Sequence, residues 1–148
     1  MIRFSESAVP ALFLAAGIAI AVKARHPGAK VFGVQPDGAA SLPTALRTGR
    51  GFHLERPETI ADGIGVGLML PAIVELLRRN LDGCLLVSDA DIRASMRRLA
   101  LDAKVVAEPA GAASLAAWSR HRETLESPVV AVVSGGNVDP ALLSAVLK

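Results

Sequence analysis

Two hydrophobic periods alternate along the chain, one near 3.6 residues and one of two, the pattern of helices and strands laid down in turn. Ala11 to Arg25 is apolar on nearly every face and predicts a mostly buried helix. His26-Pro27-Gly28 ends it, since proline keeps the residue before it out of αR geometry and glycine supplies a stop. Lys30 to Gln35 predicts a short strand, Ser41 to Thr48 a small helix closed by Gly49, and Gly51 to Glu58 an irregular crossing stretch. Pro71 to Asn80 sets Ile73, Val74, Leu76 and Leu77 against Glu75 and Arg78, a helix with proline near its start. Gly83 to Val87 is an uninterrupted apolar run of the kind found in strands covered on both faces.

Ser88, with Asp91 three residues on and Ile92, Met96 and Leu99 following at helical spacing, approaches a capping box and predicts a helix to about Ala103. Val105 to Ala107 reads as a short extended piece, and Pro109 to Arg120 as a helix whose Ala and Gly content permits close packing. Val129 to Val133 is the most β-branched run in the chain and predicts a strand ending in Ser134-Gly135-Gly136-Asn137, before a last helix near Pro140. Strands alternating with helices predict an α/β fold of three layers: a mainly parallel, open, twisted sheet with helices on both faces.

The 148 residues make a single α/β domain over 1–148, at roughly 100–200 residues per domain. Hydrophobic residues at 51% against 20% charged exclude a disordered tail. Aromatic residues are 3% with no Tyr, so surfaces that stack on bases are nearly absent. The net charge is +2, and the basic pairs Arg78/Arg79 and Arg97/Arg98 sit in separate amphipathic stretches and not on one phosphate-tracking face. Nucleic acid is not an expected partner. The one cysteine, Cys84, excludes a disulfide framework and a multi-cysteine metal site, and it fits a reducing compartment. Ala8 to Val22 is uncharged but only about fifteen residues long, short of the ~20 that span a bilayer, and Glu6 sits where a secretory leader would be basic. A cytoplasmic chain without a membrane span is expected. Because Ala11 to Val22 is apolar all round, it must be covered on all sides, so self-association or association with a related chain is expected too.

In open α/β sheets ligands bind beyond the carboxyl ends of the strands. Four loops qualify: Gln35 to Gly38, Ser88-Asp89, Glu108 to Gly111, and Ser134 to Asn137. The last is the most informative, since two glycines after a hydroxyl let a ligand approach the backbone closely. Thr59-Ile60-Ala61-Asp62-Gly63 leads into the alternating glycines Gly63, Gly65 and Gly67, a GxGxG that lacks the GxGxxG spacing and the strand-to-helix context of a dinucleotide fingerprint. His26, His53 and His121 have no metal-ligand spacing, and no serine occupies a GxSxG elbow, so nucleophilic hydrolysis has no support.

Taken in order, KVFGVQPDGAASL, TIADGIGV, VSDADI, VAEPAGAASLAA and VVSGGNVD resemble the C-terminal half of the pyridoxal-phosphate-dependent threonine and serine dehydratases, a group similar to serine racemase and to the tryptophan synthase β-subunit. The resemblance runs from about Ala16 to Leu147 and implies a partial version of the large domain of the fold type II enzymes. It implies pyridoxal 5′-phosphate as cofactor, a hydroxy amino acid as substrate, and β-elimination of water (an ammonia-lyase) as reaction. It places Ser134 at the cofactor's pyridine nitrogen, with Gly135 beside it, and Glu108 and Asp62 near the cofactor's active face or in support of the loops. A neutral hydroxyl, unlike a carboxylate, does not hold a proton on that nitrogen, which favours prompt elimination over a long-lived carbanion.

The departures bear equally on function. The only lysines are Lys23, Lys30, Lys104 and Lys148, none in the serine-flanked setting of the family's cofactor lysine. Where the family carries a tetraglycine phosphate loop, ahead of Leu14, stands Pro10-Ala11-Leu12-Phe13, with one N–H missing and bulky side chains in the way. The positions matching a structural cation site of some members are Gln35, Ala39 and Ser41, which lack a carboxylate, so no metal is expected. The resemblance therefore implies an incomplete dehydratase domain without catalytic residues of its own, inactive alone. Two other readings stand beside it: a non-catalytic dimerisation or regulatory module that binds a full-length relative, and one half of a split enzyme.

Overall fold

The computed structural model describes residues 9–148. Helix α1 (Val9–Arg25) carries Lys23 and Arg25 in its last turn, where cations meet the negative end of the helix dipole. Strand β1 (Phe32–Pro36) follows, then α2 (Leu42–Thr48), closed by Gly49 at φ 68°, the left-handed geometry glycine adopts at a helix end. Strands β2 (Phe52–His53) and β3 (Leu68–Met69) form a small antiparallel bridge across the stretch expected to be irregular. Helix α3 (Pro71–Asn80) and strand β4 (Gly83–Val87) fall on the predicted bounds.

Helix α4 (Asp89–Arg98) starts at the expected capping box. The Asp91 N–H donates to Ser88 Oγ at 3.1 Å, and the Ser88 N–H donates to Asp91 Oδ2 at 2.9 Å. A π turn over Leu99–Ala103 carries it on to Lys104, at φ 59°. Helices α5 (Pro109–His121) and α6 (Pro140–Leu147) complete the order, α6 capped by Asp139, whose Oδ1 accepts from the Ala141 and Leu142 N–H groups.

The fold is α/β with a parallel pair at its centre: β1 lies beside β4 with Phe32 opposite Gly83 and Pro36 opposite Val87. Alternate strand residues serve two cores on opposite faces. Cys84 packs with Leu12, Ala16 and Ala19 of α1 and Val74 and Leu77 of α3, while Leu85 packs with Ile92 and Met96 of α4 and Ala112, Ala113 and Ala116 of α5. The basic pairs are engaged locally. Arg78 donates to the Leu46 carbonyl, Arg79 pairs with Glu75, Arg97 donates to the Val146 and Leu147 carbonyls, and Arg98 lies over the Trp118 ring.

Two expectations fail. Val129 to Val133 is not a paired strand; among the described residues the parallel sheet contains β1 and β4 alone. The reason is the absence of a neighbour, since a strand exists only where a second backbone takes its N–H and C=O groups. Val130 stands 86% exposed as a result. Helix α1 is also less covered than its composition predicts: Leu12, Ala16 and Ala19 are buried, but Phe13, Leu14 and Ile20 are exposed. Among the described residues no helix is long and apolar enough to cross a membrane.

Candidate functional site

The loop after Val133 lies on the first turn of α5 and is held there by backbone geometry. A Cβ added at Gly111 would stand 1.7 Å from the Ser134 carbonyl oxygen, so only glycine lets the loop settle on the helix. Gly135 adopts φ 76°, and a Cβ there would meet Glu108 Oε1 at 2.3 Å. Glu108 then clamps the loop twice: its N–H donates to the Gly135 carbonyl at 3.2 Å, and its Oε2 accepts from the Asn137 N–H at 3.1 Å. One residue before the loop's first glycine, the half-buried Ser134 presents a hydroxyl that no described residue engages. Upstream, Ser114 Oγ on α5 donates to the Val132 carbonyl at 2.7 Å.

The Thr59–Gly63 loop approaches from the other side. Thr59 Oγ1 donates to Asp89 Oδ1 at 2.6 Å and the Ile60 N–H to Asp89 Oδ2 at 3.0 Å, which ties the loop to the first turn of α4. Gly63 abuts the start of α5, where a Cβ would lie 3.1 Å from that of Ala110 and 3.9 Å from Glu108 Oε1. Asp62 itself is exposed and accepts from the Gly63 N–H at 2.8 Å.

Ser134, Gly135, Glu108 and Gly63 line one end of a cavity of about 1150 Å³. Asp62 does not line it; its neighbour Gly63 does. At the far end Lys30 Nζ pairs with Glu126 at 2.7 Å, both groups exposed, which raises the lysine pKa and lowers the carboxyl one. None of the remaining lysines lines the cavity: Lys23 bridges to Asp82 at 2.8 Å and Lys104 donates to the Leu101 carbonyl. The stretch Pro10 to Phe13 belongs to α1 and forms no phosphate loop.

The positions weighed for a cation are engaged with each other. Buried Gln35 donates from Nε2 to Ser41 Oγ at 3.2 Å and accepts at Oε1 from the Leu42 N–H at 2.7 Å; Ser41 Oγ donates to the Val66 carbonyl. Among the described residues no three His, Cys, Asp or Glu side chains gather as a metal site.

Sequence reasoning placed Asp89 and Gly111 in candidate loops but missed what each of them holds. Asp89 stands beside the capping box, and its reach to Thr59, thirty positions away, leaves no local mark. Gly111 had a signal, the glycine inside an otherwise Ala-rich first turn, but what it makes room for is a distant loop.

The family described as "Pyridoxal-phosphate dependent enzyme" matches residues 8–135. An L-threonine ammonia-lyase of Thermotoga maritima is 34% identical over 135 residues, covering 91% of this chain and 34% of that protein. An L-threo-3-hydroxyaspartate ammonia-lyase of Saccharomyces cerevisiae is 35% identical over 127 residues, covering 85% of this chain and 39% of that protein. The crystal structure of a T.th. threonine deaminase superposes with a TM-score of 0.81 at 38% identity, over 85% of this chain and 46% of that one. The chain thus spans between about a third and under half the length of these relatives.

Proposed function

Because the chain belongs to the pyridoxal-phosphate dependent enzyme family, we propose that it forms the Ser134 side of an ammonia-lyase site that removes water from a β-hydroxy amino acid of the threonine or serine class. Pyridoxal phosphate, when bound, draws electron density from the substrate's α-carbon and lets a β-hydroxyl leave. The observation that carries the reading is the convergence of the unengaged Ser134 hydroxyl, Gly135 at φ 76° and Glu108 at one end of the cavity. A hydroxyl suits the cofactor's ring nitrogen, and the glycine backbone leaves room for a flat ring to come close. Glu108 acts here as a positioning residue, since its carboxylate already holds the Asn137 N–H. Asp62 supports the turn that brings Gly63 to the cavity.

These residues fit one edge of the cofactor and no more. Among the described residues nothing suits its aldehyde or its phosphate: the one lysine lining the cavity, Lys30, is paired with Glu126 at the far end, and α1 occupies the place of a phosphate loop. Turnover therefore needs family segments from outside this 148-residue sequence. The test mixes the purified chain with pyridoxal phosphate and with the part of the Thermotoga maritima relative that lies outside its match to this chain. Release of 2-oxo acid from threonine and serine is then followed. The chain alone should release none and form no borohydride-trappable, visible-absorbing adduct on a lysine; the mixture should release it, and Ser134→Ala should abolish it. Release that Ser134→Ala leaves unchanged would overturn the role of Ser134.

A second reading, a non-catalytic module that docks on a full-length relative, draws on Phe13, Leu68 and Leu70, exposed around an apolar cavity of about 270 Å³ between α1 and α3. Association with such a relative without any release of 2-oxo acid would favour it.

A further inference from the structure

The carboxyl end of β1 is tied to its surroundings by one buried amide. Gln35 is 2% exposed and Ser41 is fully buried. The Leu42 N–H donates to Gln35 Oε1 at 2.7 Å, which fixes the way the amide faces, since only its oxygen accepts from an N–H. Nε2 is thereby turned to Ser41 Oγ, 3.2 Å away, and the Ser41 hydroxyl donates in turn to the Val66 carbonyl at 3.1 Å. Ser41 stands at the N-cap of α2 yet gives the helix no side-chain bond. Gln35, seven positions ahead of Leu42, satisfies the first helical N–H in its place.

The relay reaches the large cavity. The Val66 N–H donates to the Ile64 carbonyl, and Ile64 and Gly63 both line the cavity. Residues 59–66 are thus held at their start by the Asp89 carboxylate, through Thr59 and Ile60, and at their finish by Ser41. Just ahead of them the Glu58 N–H donates to the Gly38 carbonyl, and a Cβ on Gly38 would stand 2.0 Å from the Glu58 oxygen. The loop between β1 and α2 therefore lies directly on the chain that leads to the Gly63 turn.

Gln35, Ala39 and Ser41 are also the positions that match a structural cation site of some family members, and their chemistry does not suit a hard cation. Such an ion wants several oxygens, carboxylates among them. Here there is no carboxylate, and the amide turns an N–H toward Ser41. The Ala39 carbonyl accepts from the Ser41 N–H at 2.9 Å. Among the described residues no buried side-chain nitrogen or oxygen lacks a partner.

We infer that the Gln35 amide stands in for the cation: it is a neutral clip that joins β1, α2 and Val66 by itself, so the seating of the Gly63 turn needs no divalent ion. The clip stands apart from the ammonia-lyase reading, which it touches only through the cavity wall that it positions. An amide suits the task because it offers a donor to Ser41 and an acceptor to Leu42 without adding charge. A carboxylate in its place would accept from Leu42 but give Ser41 no donor. The single Ser41 proton does not serve both that carboxylate and Val66, so a buried oxygen would be left unpaired. A proton or a divalent cation on the carboxylate would make good the loss.

Urea melts and amide hydrogen exchange of the full chain read the clip without any activity. The parent chain should show one urea midpoint in excess EDTA, MgCl2 or CaCl2. In EDTA at about pH 8, Gln35→Glu should melt at lower urea and exchange the Leu42 and Val66 amides faster by about tenfold or more, the loss expected of one or two buried bonds. Unchanged exchange in α5 shows that the variant folds. Burial raises the folded pKa of the introduced carboxyl above its unfolded value of about 4.3, and stability is lost as pH rises through the raised value. The Gln35→Glu midpoint should therefore climb from about pH 8 to about pH 5, a range over which the parent holds steady. MgCl2 or CaCl2 at pH 8 should raise it as well, whereas Gln35→Leu should be destabilised and respond to neither proton nor cation. A parent chain that loses stability in EDTA and regains it with either cation would overturn the inference, since an ion and not the amide would then hold these residues. Gln35→Glu as stable as the parent at pH 8 in EDTA, or destabilised and unresponsive to added cation, would overturn it too. None of these outcomes involves 2-oxo acid release, so the clip and the ammonia-lyase reading fail separately.

Discussion

The same substitution, glycine to alanine inside a helix, should have opposite effects at two positions of this chain. At Gly17, in the middle of α1, a new Cβ meets nothing within 4 Å. Alanine there should stabilise by about 0.5–1 kcal/mol, the helix-propensity difference set mainly by the unfolded chain's entropy. At Gly111 the Cβ would sit 1.7 Å from the Ser134 oxygen and 2.7 Å from the Gly135 oxygen, where ordinary contact begins near 3.4 Å. The obstacle is backbone and cannot rotate away, so the loop must lift by more than an ångström. Lifting it strains or breaks the bonds from Glu108 N–H to Gly135 and from Asn137 N–H to Glu108, the second with a charged acceptor. Overpacking of this kind costs about 1–3 kcal/mol, which exceeds the propensity gain. At about 2–4 °C per kcal/mol for a chain of this size, Gly17→Ala should melt a degree or more higher and Gly111→Ala several degrees lower. Urea melts followed by circular dichroism give the two signs, and hydrogen exchange should show faster exchange over residues 134–138 in Gly111→Ala alone. A Gly111→Ala chain as stable as the parent, with unchanged exchange in the loop, would refute the claim that this glycine seats it.

Asp91→Ala removes the acceptor for the Ser88 N–H and hydroxyl and the contact with Arg120 Nη1 at 2.6 Å, leaving only the bond from the residue-91 N–H to Ser88 Oγ, and should cost about 1–2 kcal/mol in urea denaturation, more than Asp89→Asn, which keeps one acceptor for Thr59. Glu108→Gln should keep the fold and weaken the hold on Asn137, read as faster exchange of that amide with a change in stability below about 2 kcal/mol. The Lys23 amine, and then the Val31 N–H, hold the Asp82 carboxyl below the usual carboxylate range; the Ser88 hydroxyl, then the Ser88 N–H and Arg120, do the same for Asp91. The unfolded chain thus binds more protons at these sites, so their stabilisation is complete above the unfolded value of about 3.9 and is lost as pH falls through the lower folded values. Urea midpoints should drop between about pH 5 and pH 3, and the drop should shrink in Asp82→Asn; a flat profile would contradict the assignment. Burial pushes the Cys84 thiol up to about 12, so thiol reagents at pH 8 should label it far more slowly than a free cysteine until urea unfolds the chain.

How far the fold could be read from residues depended on whether the information was local. Helix α3 and strand β4 were legible to their ends because Pro71 opens one and an unbroken apolar run between polar flanks defines the other. The start of α4 was legible because Ser88 and Asp91 bond each other across one turn. Val129 to Val133 has as strong a β composition as β4, yet it is no strand here, because pairing belongs to a neighbour and not to the run itself. The two-residue bridge between Phe52 and Met69 was hidden for the same reason: it is seventeen positions wide and has no pattern of its own.

The site divides along the same line, and that division bears on how its parts act. The SGGN block and the EPAGA block were each readable as strand-end loops, but not that one glutamate joins them. Glu108 accepts from Asn137, donates its own N–H to Gly135, and leaves that residue no space for a side chain. A carboxylate so occupied is poorly placed to exchange protons with a substrate, since protonating it would release the loop that carries Ser134. Asp62 is tied to its own turn in the same manner, one residue from the cavity. Of the polar side chains read from the two blocks, Ser134 alone keeps a hydroxyl that no described residue engages. Under the function proposed above, what the described residues contribute is a neutral hydrogen-bonding hydroxyl on a rigid seat. That arrangement predicts a graded hierarchy: loss of the Ser134 hydroxyl should remove activity in the complemented enzyme without touching stability, while changes at Gly111 or Glu108 should lower both together.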